Sequence, residues 1–364
     1  MFKPRFSLTT KIAKALMAIE ADRQVMASLS LTATMLDSLR RTARLLSTHY
    51  STQIEGNRLT AAQVQAVVSG EGNFPGRERD VAEVRNYFAA LEFVERLGRE
   101  GGSLTEREVR TIHGLVMTGK AKATPFRDGQ NVIRDSRTGG IVYMPPEAKD
   151  VPRLIKDMVA WLNTALTEGE IPVPVVAALA QYQFATIHPY FDGNGRTARL
   201  LTTLILHRNC YGVNGIYSLE EYYAANLEGY YAGLAVGKSH NYYFGRAEGD
   251  ITAFIEYFCV GMAAAFAKVR SRAEETSRQT TLDQAATLRT LSPQQRQALG
   301  LFLRLKVVTA KDVATYFRCS PRSAAALCRK WVESGFLVPH NPSTKGRSYR
   351  LADAYEALVA EQAD

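Results

Sequence analysis

Between Leu8 and Arg270 one stretch of this chain has the pattern of a strand pair, and nearly everything around it reads as helix. That contrast limits the fold more than any other feature. Asn131-Val132-Ile133-Arg134 and Ile141-Val142-Tyr143-Met144 flank Ser136-Arg137-Thr138-Gly139-Gly140, which predicts a β-hairpin with a glycine turn. Leu8 to Glu55 are mostly helix formers with no internal proline, and Gly56-Asn57 follows as a helix stop. Further helices are predicted over 60–69, 79–97 and 105–117, separated by the glycine-rich breaks at Gly70 to Asn73 and at Gly101-Gly102. Beyond the hairpin they resume over 151–166, 174–187, 196–208, 218–236 and 250–270. The fold class expected is mainly α, a helical bundle carrying one β-hairpin.

The C-terminal region differs. Residues 271–292 are polar and predict a linker or surface helix. Three short helices follow over 293–305, 309–317 and 320–334. Thr309 and Asp312 stand at capping-box-like spacing, and Ser320-Pro321 is an N-cap followed by proline at the first helical position. Residues 336–338 and 348–351 could then pair around a loop. Three helices and a hairpin in that order predict a winged helix-turn-helix.

At 364 residues the chain is long enough for two or three cores, and its 46% of aliphatic and aromatic residues can fill them. No run of eighteen apolar residues and no signal-peptide h-region occurs, so neither membrane insertion nor export is expected, and a cytoplasmic location is. Cys210, Cys259, Cys319 and Cys328 lack paired zinc spacing and are expected as buried free thiols. A net charge of +9 favours anionic partners such as nucleotides, nucleic acid or acidic protein surfaces, without choosing among them.

The densest cluster of special residues is His188-Pro189-Tyr190-Phe191-Asp192-Gly193-Asn194-Gly195-Arg196-Thr197-Ala198-Arg199. A helix ending at Ile187 must stop before Pro189, which leaves His188 at its exposed end, able to accept a proton near neutral pH. Asp192, four residues on, is close enough to hold a divalent cation near it. Gly193 and Gly195 permit successive amides to point into one concavity, and the helix starting around Arg196 adds its positive end to the same spot. Arg196 and Arg199 share a face in the first turn, where a cation opposes the helix dipole by about 0.3–1 kcal/mol unless a polyanion sits there. As a set, these residues describe a phosphate site with a base beside it.

The cluster resembles the signature of the Fic family, His-Pro-Phe-x-Asp/Glu-Gly-Asn-Gly-Arg-x-x-Arg, and departs from it only at Tyr190, where the family usually has Phe. The resemblance covers roughly residues 30 to 265. It implies a protein adenylyltransferase using ATP and Mg²⁺ to place AMP on a hydroxyl side chain of a target protein and of itself, releasing pyrophosphate. His188 would be the general base, Asp192 would hold Mg²⁺, Asn194 with the amides of Gly193 and Gly195 would bind phosphate oxygens, and Arg196 and Arg199 would clamp the triphosphate. The hairpin resembles the family's flap, which registers the target by strand addition, so that Asn131, Val132, Ile133 and Arg134 would face nucleotide and target. Tyr230-Tyr231 resembles a tyrosine pair near the adenine pocket, with core packing as the competing reading.

Ser51-Thr52-Gln53-Ile54-Glu55-Gly56-Asn57 resembles the family's inhibitory helix motif. Glu55 ends a helix, where its charge opposes the dipole and calls for a cation. In the family that cation is the second arginine of the signature, here Arg199, and the pair obstructs the γ-phosphate of ATP. In some members the same glutamate positions water to remove AMP, so the resemblance admits a reversing activity. The implied layout is N-terminal helices with the inhibitory helix (1–100), a catalytic core (101–270), a linker (271–292) and a winged helix-like domain (293–364). Family members often form homodimers, which puts a second copy of the chain among the partners to consider.

Competing signals are weaker. Gly233 to Ser239 suggests a Walker loop but is one residue short, and no strand precedes it. No zincin motif, zinc quartet or nucleophile elbow occurs, and His49, His113, His207, His240 and His340 stand isolated. Arg322, Arg329 and Lys330 on the third C-terminal helix, with Lys345 and Arg347 after it, suit phosphate contacts on DNA, although winged helices also dimerise or dock targets. Another phosphate-containing group could be transferred on the same scaffold. The reading from a different class is a nucleotide-sensing DNA-binding regulator.

Overall fold

The computed structural model describes residues 2–134, 139–237, 239–278, 282–317, 319–341, 343 and 347–360, with the side chains of 282 and 283 left aside. Parts of three expected features lie outside the described residues: the hairpin turn at 136–138, Lys238 of the rejected Walker-like run, and Lys345. The chain divides into two compact units, one of Met1–Gln24 with Thr42–Val269, the other of Val25–Arg41 with Arg270–Asp364.

The helices of the first unit follow the glycine and cap signals closely. In chain order they are α1 (Thr10–Ser28), α2 (Ala33–Ile54), α3 (Ala61–Val68), α4 (Glu78–Glu100) and α5 (Glu106–Thr118). Then come strands β1 (Ile133–Arg134) and β2 (Ile141–Tyr143), and helices α6 (Val151–Glu168), α7 (Val173–Ile187), α8 (Asn194–Arg208), α9 (Glu220–Ala225), α10 (Leu227–Leu234) and α11 (Thr252–Arg278). Capping boxes start α3 at Thr60 with Gln63 and α5 at Thr105 with Glu108. The opening helical run is two helices, because Thr32 caps the start of α2 with its hydroxyl on the Met35 amide. The predicted helix 218–236 is likewise broken, at Asn226.

Helices α7 and α8 form the centre of this unit. Val175 to Ala180 of α7 and Ala198, Leu200, Leu201, Leu204 and Leu206 of α8 are fully buried. A helix apolar all round must be surrounded, and α4, α5 and α6 supply neighbours for this pair. The turn joining α7 to α8 is thereby held at a fixed place in the unit. The hairpin is antiparallel, with Ile133 opposite Tyr143 and Arg134 opposite Ile141 across a bulge. Helix α11 is long and apolar enough to cross a bilayer by length and composition, but half of that stretch is buried within the protein, and Phe254, Phe258, Met262 and Phe266 are fully so. That burial accounts for its apolar character.

In the second unit the polar segment 271–292 is largely helical: α11 runs on to Arg278, and α12 spans Leu282–Thr290. Helices α13 (Pro293–Phe302), α14 (Ala310–Phe317) and α15 (Pro321–Glu333) lie where their caps predict them. A short β3 (Val308–Thr309), missed in the sequence, precedes α14 and pairs with β5 (Ser348–Leu351), which also pairs with β4 (Leu337–Asn341). The core of this unit is built on Trp331, Phe336, Leu337, Val313 and Leu299. Arg322, Arg329 and Lys330 are exposed on α15. All four cysteines are free, but only Cys259 and Cys328 are buried. Cys210 is exposed, in the turn after α8.

Candidate active site

The α7–α8 turn begins with His188, which caps α7 in the left-handed region (φ 50°, ψ 60°) and donates its backbone N–H to the Phe184 carbonyl at 3.0 Å. Its side chain is not at an exposed helix end as the sequence suggested. It is half-buried, and burial, aided by the nearby Arg127 charge, pushes its pKa down to about 4 against the pull of the Ala185 carbonyl, Glu55 and Asp192. Nδ1 lies 3.4 Å from the Ala185 carbonyl oxygen, which sets it as the N–H donor and leaves Nε2 as the proton acceptor.

The loop after it is tied back on itself. Asn194 is buried, with Oδ1 accepting from the Tyr190 amide at 3.0 Å and Nδ2 donating to the Tyr190 carbonyl at 2.7 Å. The side chain expected to touch phosphate is thus spent on shaping the loop. Its own backbone N–H remains, as do those of Gly195 and Arg196, among the first-turn amides that have no acceptor within the helix. Gly193 adopts φ +76°, and a Cβ there would come within 2.7 Å of Met117 Sδ and 3.3 Å of His113 Nε2. Gly195 is needed for space alone: a Cβ there would fall 2.2 Å from Glu55 Oε1.

Asp192 is exposed at the loop tip. Its Oδ1 accepts from the Gly193 amide at 2.6 Å and from Arg196 Nη2 at 3.2 Å, and its Oδ2 lies 3.9 Å from Arg79 Nη2. Both signature arginines are buried rather than solvated. Arg196 also pairs with Glu83 of α4, and Glu83 accepts from Asn57 Nδ2 at 2.8 Å. Arg199 donates Nε to Ser51 Oγ at 2.8 Å, and Nη2 to the Ser51 carbonyl at 2.8 Å and to Glu55 Oε1 at 2.9 Å. Burial alone would disfavour the Arg199 charge, but the Glu55 carboxylate outweighs it and holds the guanidinium firmly protonated. Its Nη1 is buried without a hydrogen-bond partner, and lies 3.2 Å from where a Gly195 Cβ would stand. Carboxylates on these cations remove the dipole penalty that the sequence implies for arginines in a first turn.

Of the flap residues, only Asn131 reaches the loop, through Nδ2 to the Tyr190 carbonyl at 3.4 Å. Val132 donates its backbone N–H to Asn131 Oδ1, Ile133 pairs with Tyr143, and Arg134 donates to the Gly139 carbonyl within the hairpin. The tyrosine pair divides. Tyr230 is buried among Tyr223, Phe254 and Tyr257, as core packing requires, whereas Tyr231 is 52% exposed, edge-on to Tyr230, with its hydroxyl pKa raised by burial and then by the charge of Glu55.

Two positioning residues were missed. His113 stacks on Tyr190 at 3.4 Å, and its Nε2 lies 3.0 Å from the Asp192 carbonyl oxygen. Arg127 donates to the carbonyls of His188, Gly129 and Pro146, so one buried guanidinium joins His188 to the foot of the hairpin. Neither belongs to a local motif; His113 precedes the loop it supports by 79 positions.

Among the described residues no group of three metal-binding side chains occurs. A lone exposed carboxylate fits Mg²⁺, which usually keeps several waters and takes one or two carboxylates plus substrate phosphates. The orphaned Nη1 beside a glycine cradle fits an anion in turn.

Comparison with known proteins agrees. The Fic/DOC family profile matches residues 103–206. Protein adenylyltransferase fic-1 of Caenorhabditis briggsae is 32% identical over 197 residues, 53% of this chain and 38% of that protein. Protein adenylyltransferase Fic of Drosophila willistoni is 27% identical over 199 residues, 54% of this chain and 39% of that protein. The chain thus spans under two fifths of the length of these curated relatives. The structure of Fic-1 (residues 134–508) from C. elegans superposes with TM-score 0.57 at 26% identity, covering 73% of each chain. A Fic family protein from Desulfovibrio desulfuricans shares the fold over 97% of this chain and 99% of its own, with TM-score 0.59 at 24% identity. With the signature loop, its glycine cradle and its two buried arginines assembled within the matched segment, this chain carries a Fic domain at residues 103–206.

Proposed function

We propose that the chain is a protein adenylyltransferase that moves AMP from Mg·ATP to a hydroxyl side chain of a target protein, and that Glu55 holds it inhibited. The observation that carries this reading is the buried Arg199, whose guanidinium is shared between Ser51, Glu55 and an orphaned Nη1 facing the cradle. A buried cation with one free donor beside unpaired helix-start amides suits a phosphate oxygen, and Glu55 stands in its way.

The residues divide the work as follows. Nε2 of His188 takes the proton from the target hydroxyl as its oxygen attacks the α-phosphorus in line. The bond from that phosphorus to the bridging oxygen breaks, and pyrophosphate leaves. The amides of Gly195 and Arg196 and the guanidinium of Arg199 receive the negative charge, and Arg127 keeps the histidine aimed. Asp192 is the residue that would hold Mg²⁺, whose contribution is to neutralise phosphate charge. Tyr231 supports an adenine site at the mouth, and the flap supports registration of an extended target segment. With a low pKa, His188 is already neutral at physiological pH, as a general base must be.

The test is incubation of wild type, Glu55→Gly and Glu55→Gly/His188→Ala with Mg²⁺ and α-labelled ATP, reading protein-bound label by gel and mass spectrometry. AMP-mass label is expected to rise in Glu55→Gly and to vanish with His188. Equal label in wild type and Glu55→Gly removes the inhibitory role. No label in any of the three, even with lysate supplying targets, removes the activity.

A further inference from the structure

The helix that carries Ser51 and Glu55 is held to the core in an unusual way. From Thr42 to Ile54 the buried residues of α2 are Ala43, Ser47, Thr48, Ser51 and Thr52, all small and mostly polar, while Leu45, Leu46 and Ile54 are only half-buried. Such a face contributes little apolar burial, since the hydrophobic gain scales with apolar area removed from water. The hold is instead a polar seam at positions 44, 47, 51 and 55, a spacing of three, four and four that puts these side chains on one side of the helix.

The end of the seam far from Glu55 is an ion pair. Arg44 Nε lies 3.0 Å from both carboxylate oxygens of Glu95, Nη2 lies 2.5 Å from Oε2, and Nη1 reaches Glu92 Oε1 at 3.3 Å. Glu95 is 4% exposed, in the C-terminal part of α4. One turn on, Ser47 Oγ donates to Glu220 Oε2 at 2.8 Å. That buried carboxylate is also held by Ser218 Oγ at 3.0 Å and by the Tyr87 hydroxyl at 3.1 Å. Arg44 is eleven residues before Glu55, about 16 Å along the helix.

We infer that the Arg44–Glu95 pair is a remote anchor that sets how tightly Glu55 is pressed against Arg199, so that α2 is a detachable strap whose release needs no change in the nucleotide site. This inference rests on the inhibitory reading of Glu55 proposed above. Its physical basis is that the cost of lifting the strap is concentrated in a few polar contacts, and that removing one partner of a buried pair leaves Glu95 uncompensated in the helix-bound state.

The experiment compares initial rates of labelled AMP transfer by wild type, Arg44→Ala, Glu55→Gly and the double variant, with circular dichroism and thermal melting to confirm folding. Arg44→Lys, which keeps the charge but loses the fork, stands in if Arg44→Ala does not fold, and should give a smaller rise. The expected result is a rise of about tenfold in Arg44→Ala and a double variant within about twofold of Glu55→Gly alone, because a strap without its glutamate has nothing left to release. Arg44→Ala at the wild-type rate while Glu55→Gly is raised overturns the anchor and leaves the inhibitory reading standing. The same fold-change from Arg44→Ala in both backgrounds also overturns it, since the residue would then act on catalysis itself. A Glu55→Gly protein no faster than wild type overturns the inhibitory reading and the anchor with it.

Discussion

The most searching test of the proposed chemistry is its pH dependence on the acid side. In the folded site His188 titrates at about 4, against an ordinary value of 6.5. Burial disfavours the charged ring, and Arg127 adds to this, so between those two values the site keeps a neutral, proton-accepting imidazole where a solvated histidine would already be charged. At pH 5.5 a group of pKa 6.5 is about 9% neutral and one of pKa 4 about 97% neutral, a difference of about tenfold in available base. The assay is kcat/KM for ATP in the Glu55→Gly variant from pH 5 to 8.5, because that ratio reports the free enzyme. Removing Glu55 takes away a charge that raises the histidine pKa, so the variant can only sharpen the effect. The rate is expected to change by less than about twofold between pH 5.5 and 7.5. The sign for folding follows from the same shift: between the two pKa values the unfolded chain binds the extra proton, so stability rises with pH there and is lost as pH falls through that window. An acid limb of about tenfold centred at pH 6 to 6.5 would refute the burial argument.

Three further outcomes follow from the geometry of the loop. Gly193→Ala forces a side chain into positive φ against Met117, a strain of about 1–2 kcal/mol with a further ~1–3 kcal/mol of overpacking, so the unfolding midpoint of the catalytic unit in urea should fall, and an unchanged midpoint contradicts the reading. Asn194→Ala leaves the Tyr190 amide without a partner, at ~1–3 kcal/mol if it stays dry, and its carbonyl with only the 3.4 Å bond from Asn131; helix content by circular dichroism should persist while labelling by the Glu55→Gly background collapses. Arg127→Met removes the donors to the His188, Gly129 and Pro146 carbonyls and should lower kcat by about a hundredfold, with KM for ATP moved by less than about threefold. A wild-type kcat would show that the histidine needs no such support.

The loop was legible because its chemistry is local. Glycines at Gly193 and Gly195, a histidine before a proline and two arginines three apart each carry a reason within a dozen residues, and helix caps such as Thr105 with Glu108 need only a four-residue window. The hairpin was legible from two short segments flanking a glycine turn, but its pairing with a bulge was not, because register depends on what each face meets. Asn194 misled in role: its position in the signature suits phosphate, yet only the folded loop shows both ends of its amide spent on Tyr190. Tyr230 and Tyr231 look alike in sequence and are divided by helix rotation, one turned into an aromatic core and the other out.

By itself the sequence determined the helical bundle, the place of the glycine-rich loop between α7 and α8, and the histidine proposed as the base, since these follow from backbone freedom, helix ends and side-chain chemistry carried by neighbouring residues. Tertiary structure alone decided that His113 would underlie Tyr190, that Arg127 would hold His188, that Glu83 would tie Asn57 to Arg196, and that a polar seam from Arg44 to Glu55 would lie against the core. Those contacts join residues tens to more than a hundred positions apart, and which carboxylate meets which guanidinium is set by the packing of helices around α7 and α8 rather than by any local preference of the chain.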